Sequence, residues 1–110
     1  MATSTYKVLG QSAPSATTAT AAYTVPSSTQ AVISTITVCN RDSASATYRI
    51  AIRPNGATLA NEHYIAYGSV VPANDSIFLT VGITVDAADV ITVYSSSANL
   101  SFNIFGVEIA

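Results

Sequence analysis

Charge is the scarcest property of this chain: 9% of its 110 residues are Asp, Glu, Lys or Arg, against roughly 25% in an ordinary soluble domain. Lys7, Arg41, Arg49 and Arg53 are the only cations, and the formal net charge is -2. Sequence-independent nucleic-acid binding needs several phosphate contacts from Lys or Arg, so no nucleic-acid partner is expected. Tryptophan is absent and Cys39 is the single cysteine, which rules out an intrachain disulfide and a cysteine-based zinc site. At the end of the apolar run Val38-Cys39-Asn40, a free thiol is expected to behave as a small buried hydrophobe. No apolar run approaches the roughly 18 residues that span a bilayer. Met1 to Ser4 lead into no hydrophobic signal region, so synthesis in a cytoplasm and no membrane partner are expected.

What fills the chain instead is 49% hydrophobic residues and a polar remainder dominated by serine and threonine. A surface of hydroxyls and alanine carries little solvation and little like-charge repulsion, which favours packing against copies of the same chain or a partner. The length fits one domain spanning residues 1–110, large enough to bury a core.

Apolar residues recur with period two, the pattern of half-buried strands. In Thr47-Tyr48-Arg49-Ile50-Ala51-Ile52-Arg53, Tyr48, Ile50 and Ile52 share one face, and Thr47, Arg49, Ala51 and Arg53 the other. Pro54-Asn55-Gly56 then supplies a fixed φ followed by residues tolerant of positive φ, so the strand ends there. The same reading predicts strands near Tyr6 to Gly10, Ala21 to Val25, Val32 to Asn40, His63 to Tyr67, Ser76 to Val81, Val90 to Ser95 and Leu100 to Ile109. About eight short strands with regular turns and no amphipathic helix imply an all-β antiparallel β-sandwich or jelly roll. Residues 11–22, rich in Ser, Thr and Ala, read as a long loop with a short strand at its end. In the last strand Leu100, Phe102 and Ile104 alternate in one phase and Phe105, Val107 and Ile109 in the other. A bulge or change of sheet is expected at Gly106.

Signals for chemistry are thin. His63 is the only histidine, no Gly-x-Ser-x-Gly elbow marks a serine, and Glu62 and His63, adjacent on the expected strand, point to opposite faces. Asp86 and Asp89 are too few for a calcium site and read as turn formers whose side chains bond nearby backbone N–H groups. Asp75 reads the same way. No phosphate loop, dinucleotide fingerprint, HExxH or CxxC is present; no enzyme activity, cofactor or metal is expected. The remaining candidates are interface residues. Arg49 and Arg53 stand on one strand face with Arg41 placed near them across the turn at 42–46, either as a contact stripe or as a solvated face. Tyr64 and Tyr67 beside His63 suit a core, an interface or a glycan-binding surface.

Four stretches carry a resemblance: Thr5-Tyr6-Lys7-Val8-Leu9-Gly10-Gln11; Val38-Cys39-Asn40-Arg41 with Tyr48-Arg49-Ile50-Ala51-Ile52-Arg53-Pro54; Asn61 to Tyr67 with Pro72-Ala73-Asn74-Asp75; and Ala98 to Ile109. Together they resemble small virion structural proteins of tailed bacteriophages, particularly those of cyanobacteria and other aquatic bacteria. The resemblance implies a virion component, foremost a capsid decoration (cement) protein. Such a protein would act as a homotrimer, bind the major capsid protein or another virion protein, and be made in the host cytoplasm. The alternative it implies is a neck, tail or fibre module that binds another virion protein or a host surface glycan.

Overall fold

The computed structural model describes residues 2–110. Eight strands run in chain order: β1 Ser4–Ser12, β2 Thr20–Thr24, β3 Gln30–Asn40, β4 Ala46–Arg53, β5 Tyr64–Val71, β6 Ser76–Val85, β7 Val90–Ser95 and β8 Leu100–Ile109. They form two antiparallel four-stranded sheets, ordered β1-β8-β3-β6 and β2-β7-β4-β5. The pairs β1/β8, β2/β7, β3/β6 and β4/β5 are those of one long hairpin with its bend between β4 and β5. Rolling that hairpin until β8 meets β3 and β7 meets β4 gives the jelly roll.

The inner faces make the core. Ile33, Ile36 and Val38 of β3 and Leu100, Phe102 and Ile104 of β8 pack with Tyr48 and Ile50 of β4 and Ile91 and Val93 of β7, all buried. Phe102 meets the Tyr48 ring edge-on, with centroids 6.3 Å apart, a geometry that aligns the positive ring edge with the negative face. Turns fall at the expected breakers. Asn55 (φ 53) and Gly56 (φ 69) end β4, and Asn74 and Ala88 take positive φ in the β5–β6 and β6–β7 turns.

Among the described residues Asn40 is the one fully buried side-chain amide. Its Nδ2 donates toward the carbonyls of Ala44, Val71 and Pro72 at 2.9, 3.2 and 3.2 Å, and its Oδ1 accepts from the Asp42 N–H at 2.9 Å. One residue thus joins the β3–β4 turn to the end of β5, supplying the partners that buried carbonyls require.

Several expectations are corrected. The loop predicted over residues 11–22 shrinks to 13–19. Gln11 and Ser12 continue β1 opposite Asn103 and Phe102, held by a 2.7 Å bond from Gln11 to Asn103, and residues 20–22 open β2. His63 and Glu62 lie in a 3-10 turn rather than on a strand, and β5 runs on to Val71. Cys39 is half-buried on the outer face, because Val38 and Asn40 take the inward positions. Ala51 is buried, since its short side chain lies between Thr92 and Tyr64 on neighbouring strands. β8 keeps a single phase. The irregularities lie on its neighbours, at Leu9 of β1 and Ser34 of β3, and the apolar residues Phe105 and Val107 face outward. Gly106 lies on the inward phase, where the Val32 carbonyl and Leu9 occupy the space a Cβ would need and so require glycine.

Replacing Asn40 by Ala leaves buried carbonyls without donors and is expected to cost about 2–3 kcal/mol in urea unfolding. Asn103→Ala, which removes one exposed bond, is expected to stay within about 0.5 kcal/mol of wild type.

Candidate functional site

Among the described residues no group of three or more His, Cys, Asp or Glu side chains comes together to hold a metal, and no helix is long and apolar enough to cross a membrane. Chemistry-bearing side chains serve the fold. His63 Nδ1 accepts the Ala60 N–H at 3.0 Å and closes its own turn. Asp89 accepts from the backbone N–H groups of Asn55 and Asp86, both at 2.8 Å, while Asp86 accepts from Ala87 and Asp75 from Ser76. The aspartates are turn formers, as their spacing predicted.

Three surfaces remain. The first is the outer face of the β2-β7-β4-β5 sheet. Arg49 stands directly between Tyr94 of β7 and Tyr67 of β5, and its guanidinium carbon lies 4.1 Å from the centroid of each ring. Each such contact contributes about 0.5–1 kcal/mol at an exposed site. Tyr64 meets Tyr67 edge-on with centroids 4.9 Å apart. Arg49, Tyr64 and Tyr67 therefore come together as one aromatic and cationic platform. Its fourth member, Tyr94, escapes the sequence reading because only the strand order makes β7 the neighbour of β4.

Arg53 shares that strand face but is held lower on it, with Nε donating to Thr92 Oγ1 at 3.0 Å and a terminal nitrogen to the Ala57 carbonyl at 3.1 Å. Arg41 is not brought to the stripe. It turns toward β8 and the turn before it, donating to Ser101 Oγ at 2.9 Å and the Ala98 carbonyl at 3.1 Å.

The second surface is the outer face of the β1-β8-β3-β6 sheet, whose outward-facing strand residues carry no charge; Arg41, just beyond β3, reaches only its end through Ser101. Tyr6 is 85% exposed and stands opposite Val107, and Val8 stands opposite Phe105. Phe78, on β6 at the far edge, is 70% exposed. These side chains belong to strands far apart in sequence, so no local run of residues announces them as one face.

The third feature is a polar seam joining the two sheets. Glu108, on the inward phase of β8, takes the Lys7 ammonium at 2.9 Å on Oε1 and the Tyr23 hydroxyl at 2.6 Å on Oε2. Its carboxyl is held below the usual carboxylate range, first by the Tyr23 hydrogen bond and then by Lys7. Burial, followed by the Glu108 bond and charge, pushes the Tyr23 phenol up. The seam clips β1 and β8 of one sheet to β2 of the other.

No protein-family model matches the sequence, and no curated protein matches it.

Two outcomes test these assignments. Arg49→Ala is expected to lower stability by about 1 kcal/mol and Arg49→Lys by less, since the ammonium keeps the charge but not the planar stacking surface; urea midpoints measure both. Because the folded Glu108 carboxyl is depressed, its stabilisation is complete above its unfolded value of about 4.3 and fades as pH falls through the folded value. The stability gap between wild type and Glu108→Gln should therefore be widest near neutrality and close in acid, as read from urea midpoints across that range.

Proposed function

We propose that the chain is a non-enzymatic structural protein of a tailed-phage virion, a capsid decoration protein that cements the shell through symmetric, multivalent contacts. It is read as a homotrimer attached to the major capsid protein. The observation that carries this reading is the outer face of the β1-β8-β3-β6 sheet, whose strand residues are uncharged and from which Tyr6 and Phe78 project. Neutral, hydroxyl-rich sheets lower the electrostatic cost of setting many copies side by side. Several modest contacts made at once convert weak sites into firm attachment through effective concentration. The jelly roll alone would not support a function, since that fold hosts capsid, lectin and other domains; it is the surface and the motif resemblance that point to assembly.

A second reading, a neck, tail or fibre module recognising another virion protein or a host glycan, draws on the Tyr64, Tyr67, Arg49 and Tyr94 platform, where exposed rings offer a flat stacking surface.

Quantitative peptide counting in purified particles separates the two. A decoration protein is expected at hundreds of copies per particle, and six, twelve or a few dozen copies would overturn that assignment.

A further inference from the structure

A two-sheet sandwich has four outer strands; two of them are closed off by the chain itself and a third is twice interrupted. β1 and β2 lie against each other along one side: Gly10 backs onto the Ala22 carbonyl with no room for a Cβ, and the Tyr23–Glu108 bond spans the same side. β5 is interrupted twice against β4, at Ile65 and at Gly68, whose φ is +71°. Such bulges twist an edge away from foreign strands.

β6 is different. Its ten residues, Ser-Ile-Phe-Leu-Thr-Val-Gly-Ile-Thr-Val, contain neither charge nor proline, and β3 is its sole sheet neighbour. Its one register shift sets two of its residues, Val81 and Gly82, opposite Ser34 alone, yet the alternation of burial runs unbroken from Ser76 to Thr84. Ile77, Leu79, Val81 and Ile83 point inward and touch the core, yet remain only partly buried. This side of the sandwich is open, and an uncharged, proline-free edge strand whose inward and outward residues alternate without a break is a template for another strand.

We propose that a second copy of this chain pairs along β6, antiparallel about a two-fold axis through Thr80, joining two four-stranded sheets into one of eight. In such an isologous joint inward residues must oppose inward residues. Centred on Thr80, Ile77 faces Ile83, Leu79 faces Val81, and Thr80 faces its own copy. Phe78, 70% exposed, then lies opposite Gly82, where a Cβ would meet nothing within 4 Å. An aromatic ring covering a strand glycine is a stabilising cross-strand pair. Centres at Leu79 or Val81 set Gly82 against Ser76 or Thr80 instead and leave that space unfilled.

No like charges meet in this register. A strand of ten residues is about 33 Å long, so the joint runs along the whole edge of the sheet.

The inference stands apart from the virion reading, which copy counting tests; the β6 contact exists or fails in the purified protein. A three-fold contact through another face would combine with it to give hexamers. Native mass spectrometry of the full chain is expected to show dimers or hexamers, and Thr80→Lys, which sets two ammonium groups face to face, should weaken association at least tenfold without altering the circular dichroism spectrum. A register test uses the Cys39→Ser background. Directly opposed strand residues sit about 4.5–5.5 Å apart at Cα, within disulfide reach. Thr80→Cys should therefore oxidise to a covalent dimer, while Ser76→Cys, facing Thr84, should not. A wild-type monomer or trimer, or cross-linking of Ser76→Cys as complete as that of Thr80→Cys, would overturn the proposal.

Discussion

The packing of β3 and β8 against β4 and β7 is the interaction on which the rest of the structure depends. Phe102, Ile104, Ile33 and Ile36 meet Tyr48, Ile50, Ile91 and Val93 across the two inner faces. Each fully buried side chain of this size is worth about 1.5–3 kcal/mol relative to exposure. These four strands are the central pair of each sheet, so every outer strand is held by pairing to one of them. The same packing sets the register. A slip of one residue in β3 or β8 would turn an entire aliphatic row to solvent, and the irregularities at Leu9 and Ser34 are tolerated because β8 itself keeps an unbroken phase.

The few charges are placed around that core in a consistent way. The aspartates close turns by accepting backbone N–H groups, Glu108 is clasped by Tyr23 and Lys7, Arg49 is stacked between two rings, and Arg53 and Arg41 are spent on neighbouring oxygens. Most of the charge in this chain is engaged in internal contacts, with Glu62 the exposed exception among the described residues. The sheet faces are left mainly with hydroxyl, methyl and aromatic surface, a chemistry that discriminates little against other copies of itself.

Much of the fold was legible from periodicity and breakers. The alternation in residues 47–53 placed Tyr48 and Ile50 in the core and Arg49 outside, and Pro54-Asn55-Gly56 ended the strand where a positive φ was required. Apart from the local turn at Glu62 and His63, the corrected expectations share one cause. Gln11, Ser12, Cys39 and Phe105 were judged from their neighbours in sequence, whereas their environments are set by Asn103, by Ser76 and Ser101, and by Val8 and Thr35, which arrive from elsewhere in the chain. The platform shows the same division. Arg49, Tyr64 and Tyr67 were visible as candidates, but Tyr94 joins them only through the β4/β7 pairing, and Arg41 parts from them because β3 and β4 belong to different sheets.

By itself, the sequence determined the class of structure and the character of the surface: alternating apolar residues demand sheets with one buried face, and a chain with so little charge cannot present a strongly ionic exterior. The tertiary structure alone decided which faces those are. Strand order depends on long-range pairing, in which β1 meets β8 and β2 meets β7, and no local pattern encodes that choice. Only after the hairpin is rolled do Tyr6, Val8, Phe105 and Val107 become one uncharged face, and only then is β6 left as an open edge.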